Sequence, residues 1–126
     1  MASSYEGGCR CGAVRYQLGG EPYKSGVCHC TECRRETGSA FLYYADWSTD
    51  SFTVSGDYKT YDGRSFCPVC GGTLFHLSDD HVEIALGSLD EAPVALVPLR
   101  EGWIKRREPW LVAVVGAGQF REDTDL

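Results

Sequence analysis

The sequence predicts a mainly β domain with at most short helical turns, and three observations lead there. Apolar and polar residues alternate with period two in several short runs, as half-buried strands require. Gly-Gly, Ser-Gly-Asp and Asp-Gly turn signals separate those runs. Only one segment suits a helix, and it is short.

In chain order, "VRYQL" (Val14 to Leu18) reads as the first strand. "TECRRETG" follows as the one short helix, with Gly38 as its stop. "SFTVS" (Ser51 to Ser55), "TLFHL" (Thr73 to Leu77) and "HVEIAL" (His81 to Leu86) have strand character. "LDEAPVALVPL" (Leu89 to Leu99) is broken by Pro93 and Pro98, which predicts a loop with an edge strand. Trp103, Ile104, Trp110 and Leu111 are assigned to core packing at the sheet end, with a partner surface as the other reading. There is no repeat, low-complexity tract or linker, so residues 1–126 are expected to form a single domain, with 1–6 and 121–126 as frayed tails.

A chain of 126 residues suits one core and buries roughly two-thirds of the surface its unfolded form exposes. The net charge of −6 argues against nucleic acid as a partner, because an acidic chain repels phosphate. Its only basic runs, Arg34-Arg35 and Lys105 to Arg107, read as solvated surface charge. No stretch could span a bilayer, so no membrane is expected. The polar, glycine-rich start has no secretory pattern, which predicts a cytoplasmic protein with reduced thiols. Whether the chain is a monomer or a homodimer stays open.

The seven cysteines fall into three groups: "CRC" (Cys9, Cys11), "CHCTEC" (Cys28, Cys30, Cys33) and "CPVC" (Cys67, Cys70). An odd number rules out complete internal pairing, and clustered thiols in a reducing compartment are more often metal ligands. Cys67 and Cys70 precede Gly71 and Gly72, the arrangement of a zinc knuckle, in which a tight turn converges two sulfurs while free N–H groups face them. Cys9 and Cys11 complete that site most simply, since a C-x-C pair on a strand points both side chains to one face.

That allocation leaves Cys28, Cys30 and Cys33 as an open, three-cysteine site. The alternative, lending the trio one of the other cysteines, would leave the remaining three incomplete. Three histidines could also supply a fourth ligand. His29 lies between two ligands and is expected to point away; His76 and His81 sit in strand patterns that suit half-buried residues.

Five ordered blocks carry a family resemblance: "GGCRCGAVRY" (Gly7 to Tyr16), "CHCTECRRETGSAF" (Cys28 to Phe41), "RSFCPVCGGTLF" (Arg64 to Phe75), "GSLDEAP" (Gly87 to Pro93) and the closing segment from Trp103 to Phe120. In these the chain resembles the glutathione-dependent formaldehyde-activating enzymes (GFA), whose domain also occurs in centromere protein V. The resemblance implies a β-tent of antiparallel sheets stapled by zinc. It implies a structural zinc on Cys9, Cys11, Cys67 and Cys70, and a labile, catalytic zinc on Cys28, Cys30 and Cys33.

The activity implied is that of a carbon-sulfur lyase, forming or cleaving S-hydroxymethylglutathione from formaldehyde and glutathione, or acting on a related small aldehyde and thiol. Three thiolates leave zinc with a net charge of about −1, a poorer activator of water than three histidines would make it. An incoming thiol, with an ordinary pKa around 8.5, suits such a site better. Arg34, Arg35 and Arg64 are candidate anchors for the carboxylates of glutathione, as charge-assisted pairs. Ser39 and Phe41 are candidate pocket residues, Phe41 with core packing as its other reading. The competing function class is a zinc-stabilised protein-interaction module without catalysis.

Overall fold

The computed structural model describes residues 3–124 and is mainly β with one short helix. In chain order the strands are β1 (Ser4–Gly8), β2 (Arg15–Gly19), β3 (Lys24–Cys28), β4 (Leu42–Ser48), β5 (Phe52–Ser55), β6 (Lys59–Tyr61), β7 (Arg64–Phe66), β8 (Thr73–Leu77), β9 (His81–Ala85), β10 (Arg100–Gly102) and β11 (Gly118–Gln119). The helix, α1, spans Thr31–Thr37. Gly38 ends it in the left-handed conformation, φ 66°, and its N–H returns to the Arg34 carbonyl. No described helix is long and apolar enough to cross a membrane.

The chain divides into two compact units, Met1–Tyr23 with Ala45–Ala95, and Lys24–Tyr44 with Leu96–Leu126. Strand β4 passes from the second to the first. In the first unit β1, β2 and β5 form an antiparallel sheet, and β6 to β9 form an antiparallel meander. The alternation of β2 is visible as burial: Tyr16 and Leu18 are inside, Gln17 outside. Phe75 gathers the edges of Tyr16, Phe52 and Tyr58 at centroid distances of 6.4, 5.0 and 5.0 Å.

Trp47 is 1% exposed, donates its ring N–H to the Gly20 carbonyl at 2.9 Å and meets Tyr5 edge-on. Trp47→Ala is therefore expected to lower the stability of this unit by about 3–5 kcal/mol, read as a lower denaturant midpoint. An unchanged midpoint would remove Trp47 from the core.

The second unit is built differently. Strand β10 runs parallel to both β3 and β11, and the apolar core is thin: Val27, Cys33, Leu42 and Tyr44. His29 and Glu101 are buried among these. With so little apolar surface to enclose, this unit depends on polar contacts or a ligand to hold its loops.

Three sequence expectations are corrected. The tails are not frayed within the described residues. Ser4 to Glu6 pair with β2, and at the other end the Glu122 carbonyl accepts from the Trp103 N–H at 2.7 Å while Asp123 accepts from the Trp103 ring at 2.6 Å. Met1, Ala2, Asp125 and Leu126 lie outside the described residues. The Leu89 to Leu99 segment is loop, and in place of an edge strand it makes one bridge, Gly7 to Leu89, because its prolines interrupt any ladder. Trp110 is 72% exposed and is not core.

Candidate metal centres

Four sulfurs meet in the first unit. Strand β1 ends at Gly8, and the chain turns so that the Cys9 N–H bonds the Val14 carbonyl at 3.1 Å. Gly12, at φ 83°, permits that turn. Cys9 and Cys11 thus converge through a turn and not along a strand face, which corrects the expected route but not the pairing. After β7 the second turn closes from Gly71 N–H to Cys67 carbonyl at 2.8 Å, with Gly71 at φ 78°.

Within it the N–H groups of Val69 and Cys70 face Cys67 Sγ at 3.3 and 3.5 Å, and Val14 N–H faces Cys9 Sγ at 3.2 Å. All four Sγ atoms lie within 4.8 Å of one another, with Cys9 to Cys11 at 3.6 Å and Cys11 to Cys67 at 3.7 Å. These separations are far from a disulfide bond of about 2.05 Å. They match the roughly 3.8 Å between sulfurs held about 2.3 Å from a tetrahedral zinc. Backbone N–H groups of Cys11 and Gly72 bring the Cys70 thiol down to about 6.

Three sulfurs meet in the second unit, carried there by a strand end, a cap and a helix turn. Cys28 ends β3 opposite Gly102 of β10. Cys30 is the N-cap of α1 and its Sγ accepts from the Cys33 N–H at 3.3 Å. Cys33, in the first turn, is buried. The three Sγ atoms lie within 4.8 Å of one another. Among the described residues no histidine or carboxylate joins either cluster. The Cys33 S–H, with lesser help from the Cys30 N–H, lowers the Cys28 thiol to about 6, whereas the same contact pushes Cys33 upward.

His29 turns to Glu101, its Nε2 2.8 Å from Oε2, and its Nδ1 is buried with no hydrogen-bond partner. His81 pairs with Asp80 at 2.8 Å. Arg34 is held by an ion pair with Glu108 and donates to the Arg106 carbonyl at 2.9 Å. Arg35 is exposed on α1, and Ser39 is exposed just beyond the helix cap. Arg64 belongs to the first unit, on β7, with its guanidinium 3.7 Å from Asp62. Phe41 is half-buried with its ring 5.7 Å from that of His29. Arg34, Arg35, Ser39 and Phe41 therefore belong to the unit that carries the trio.

Glu101 was not foreseen. It lies in "LREGW", where nothing marks a buried acid. Burial alone would raise its carboxyl, but hydrogen bonds from Gln119, Val114 and His29 and the charge of Arg107 hold it below the usual carboxylate range.

The profile of the family described as glutathione-dependent formaldehyde-activating enzyme matches residues 4–106. An uncharacterized lyase of Schizosaccharomyces pombe is 33% identical over 76 residues, a match that spans 56% of this chain and 56% of that protein. The chain thus aligns with little more than half the length of that curated relative. A crystal structure of a Rhodobacter sphaeroides protein superposes with a TM-score of 0.55 at 21% identity, covering 74% of this chain and 97% of that one, a likeness of fold.

Proposed function

Because the chain belongs to the glutathione-dependent formaldehyde-activating enzyme family, we propose that it is a zinc-dependent carbon-sulfur lyase of a small thiol and a small aldehyde, with glutathione and formaldehyde as the first pair to test. On this reading residues 1–126 form one GFA-type domain. The observation that carries the reading is the contrast between the two clusters: four sulfurs that can close a tetrahedron, and three that leave one position.

Cys9, Cys11, Cys67 and Cys70 would hold a structural zinc, and Cys28, Cys30 and Cys33 a labile one. Zinc on the trio would supply an open coordination position at which an added thiol ionises below its ordinary pKa. The chemistry so supplied would be net addition of a thiol across a carbonyl: a C–S bond would form as the C=O π bond breaks, and the proton given up by the thiol to solvent would be matched by the one the oxygen takes from solvent. The reverse sequence returns thiol and aldehyde.

The chain's own part is to bring the two reactants together and to hold them. Arg35, exposed on α1, is the freest anchor for a glutathione carboxylate, while Arg34 would have to exchange Glu108 for one. Ser39 offers an exposed hydroxyl just beyond the helix cap, and Arg64 is the remaining candidate. Exchange NMR of formaldehyde with glutathione tests the activity: zinc-replete protein is expected to speed the exchange above the buffer rate. A rate equal to the spontaneous one would make this the wrong substrate pair.

One observation favours a second reading, that of an interaction module. Trp110, Val112 and Val115 are 72%, 87% and 93% exposed in the second unit. Exposed apolar side chains so close in sequence suit a partner surface. A single tight zinc per chain with no response to glutathione would favour that reading over catalysis.

A further inference from the structure

Glu101 joins four segments of the second unit through one buried carboxylate. Its Oε1 accepts from the Val114 N–H at 2.6 Å and from the Gln119 side-chain amide at 3.0 Å. Its Oε2 faces His29 Nε2 at 2.8 Å and Arg107 Nη1 at 3.6 Å. Arg107 is in turn fixed by Gln119 at 2.7 Å. Both Glu101 and His29 have side chains only 2% exposed. A buried carboxylate is costly unless every lone pair is used, and here each oxygen has two partners.

The place of His29 gives this network its meaning. It is the residue between Cys28 and Cys30, and β10 holds it twice: its N–H bonds the Gly102 carbonyl at 3.1 Å, and its ring bonds Glu101. The apolar residues buried in this unit, Val27, Cys33, Leu42 and Tyr44, are too few to fix the spacing of two thiols by packing alone. The bonds from the His29 N–H to Gly102 and from its ring to Glu101 anchor the residue that links the two cysteines.

We infer that Glu101 is a positioning residue for the open cluster, fixing the separation of Cys28 and Cys30 through His29 and tying that separation to the loop that carries Arg107 and Val114. The inference rests on the reading of Cys28, Cys30 and Cys33 as a metal site. Residues that orient ligands typically change metal affinity by about 10–100-fold when replaced. The same chain carries an internal control, because the four-cysteine cluster belongs to the other unit.

The test is zinc competition against a chromophoric chelator, comparing the unsubstituted chain with Glu101→Gln, which keeps the volume of the side chain. The unsubstituted chain is expected to bind two zinc ions of unequal affinity. In Glu101→Gln the weaker is expected to loosen at least tenfold while the tighter is unchanged, and the cobalt-substituted trio is expected to change its d–d spectrum. Two ions bound with unchanged affinities would overturn the role of Glu101 and leave the metal reading standing. One ion in the unsubstituted chain would overturn both. Should Glu101→Gln fail to fold, Gln119→Leu, at the exposed end of β11, removes one bond to Oε1 and releases Arg107, leaving the Val114 and His29 bonds to Glu101 in place. A several-fold loosening of the weaker ion is expected there, and none would overturn the inference.

Discussion

Cys67→Ser is expected to lose the tight zinc and, with it, the folded state of the first unit. Cys67 is fully buried, and its sulfur is the one on which the Val69 and Cys70 N–H groups converge. A hydroxyl in its place is a poor zinc ligand and leaves those N–H groups facing a shorter, harder atom. Structural zinc contributes on the order of 10–16 kcal/mol of apparent binding free energy in small domains. Whole domains are stable by only about 5–15 kcal/mol, so the loss is decisive. Circular dichroism and zinc content, measured together, check this. A Cys67→Ser chain with full zinc and an unchanged melting curve would mean that the four-cysteine cluster is not a structural site.

Cys30→Ser is expected to behave in the opposite way, keeping the fold and losing all catalysed exchange. Cys30 has two roles. It supplies one of the three sulfurs, and it caps α1 through its bond to the Cys33 N–H. Serine is among the preferred N-cap residues, so the helix keeps its cap, whereas alanine would cost about 1 kcal/mol there. The substitution thereby removes the thiolate without disturbing the helix. Exchange NMR should return to the buffer rate at an unchanged melting temperature. Retained catalysis would place the chemistry away from the trio.

Much of the first unit was legible in the sequence, because its strands are wet on one face. The β8 bounds match the predicted run, β5 and β9 differ by a residue at one end, β2 is shifted by one residue, and α1 with its Gly38 stop falls where "TECRRETG" placed it. Strand β3 was not legible. Its central residues Ser25, Gly26 and Val27 are all buried, so no alternation appears. A Cβ on Gly26 would lie 2.8 Å from both the Arg100 carbonyl and the Tyr44 hydroxyl, so a glycine at this position is what lets β10 approach. The two- and three-residue strands, β11 and β10, are too short to carry a period.

At the clusters, the division of cysteines four and three could be read from spacing, since ligand counting needs only the residue types. The geometry that converges Cys9 with Cys11 was misjudged because the turn to Val14 is fixed by backbone hydrogen bonds that no side chain announces. Glu101 was invisible for a related reason. Its partners come from His29, Arg107, Val114 and Gln119, which are brought together only by the fold. Arg34 looked like an anion anchor until Glu108 was found beside it.

The central claim is that the three-cysteine site keeps a position for an incoming thiol. Zinc content before and after mild chelation, with and without glutathione, tests it most directly. Two zinc ions per chain are expected, falling to one on chelation, with glutathione slowing the loss of the second. One zinc ion per chain from the outset, unaffected by glutathione, would contradict it.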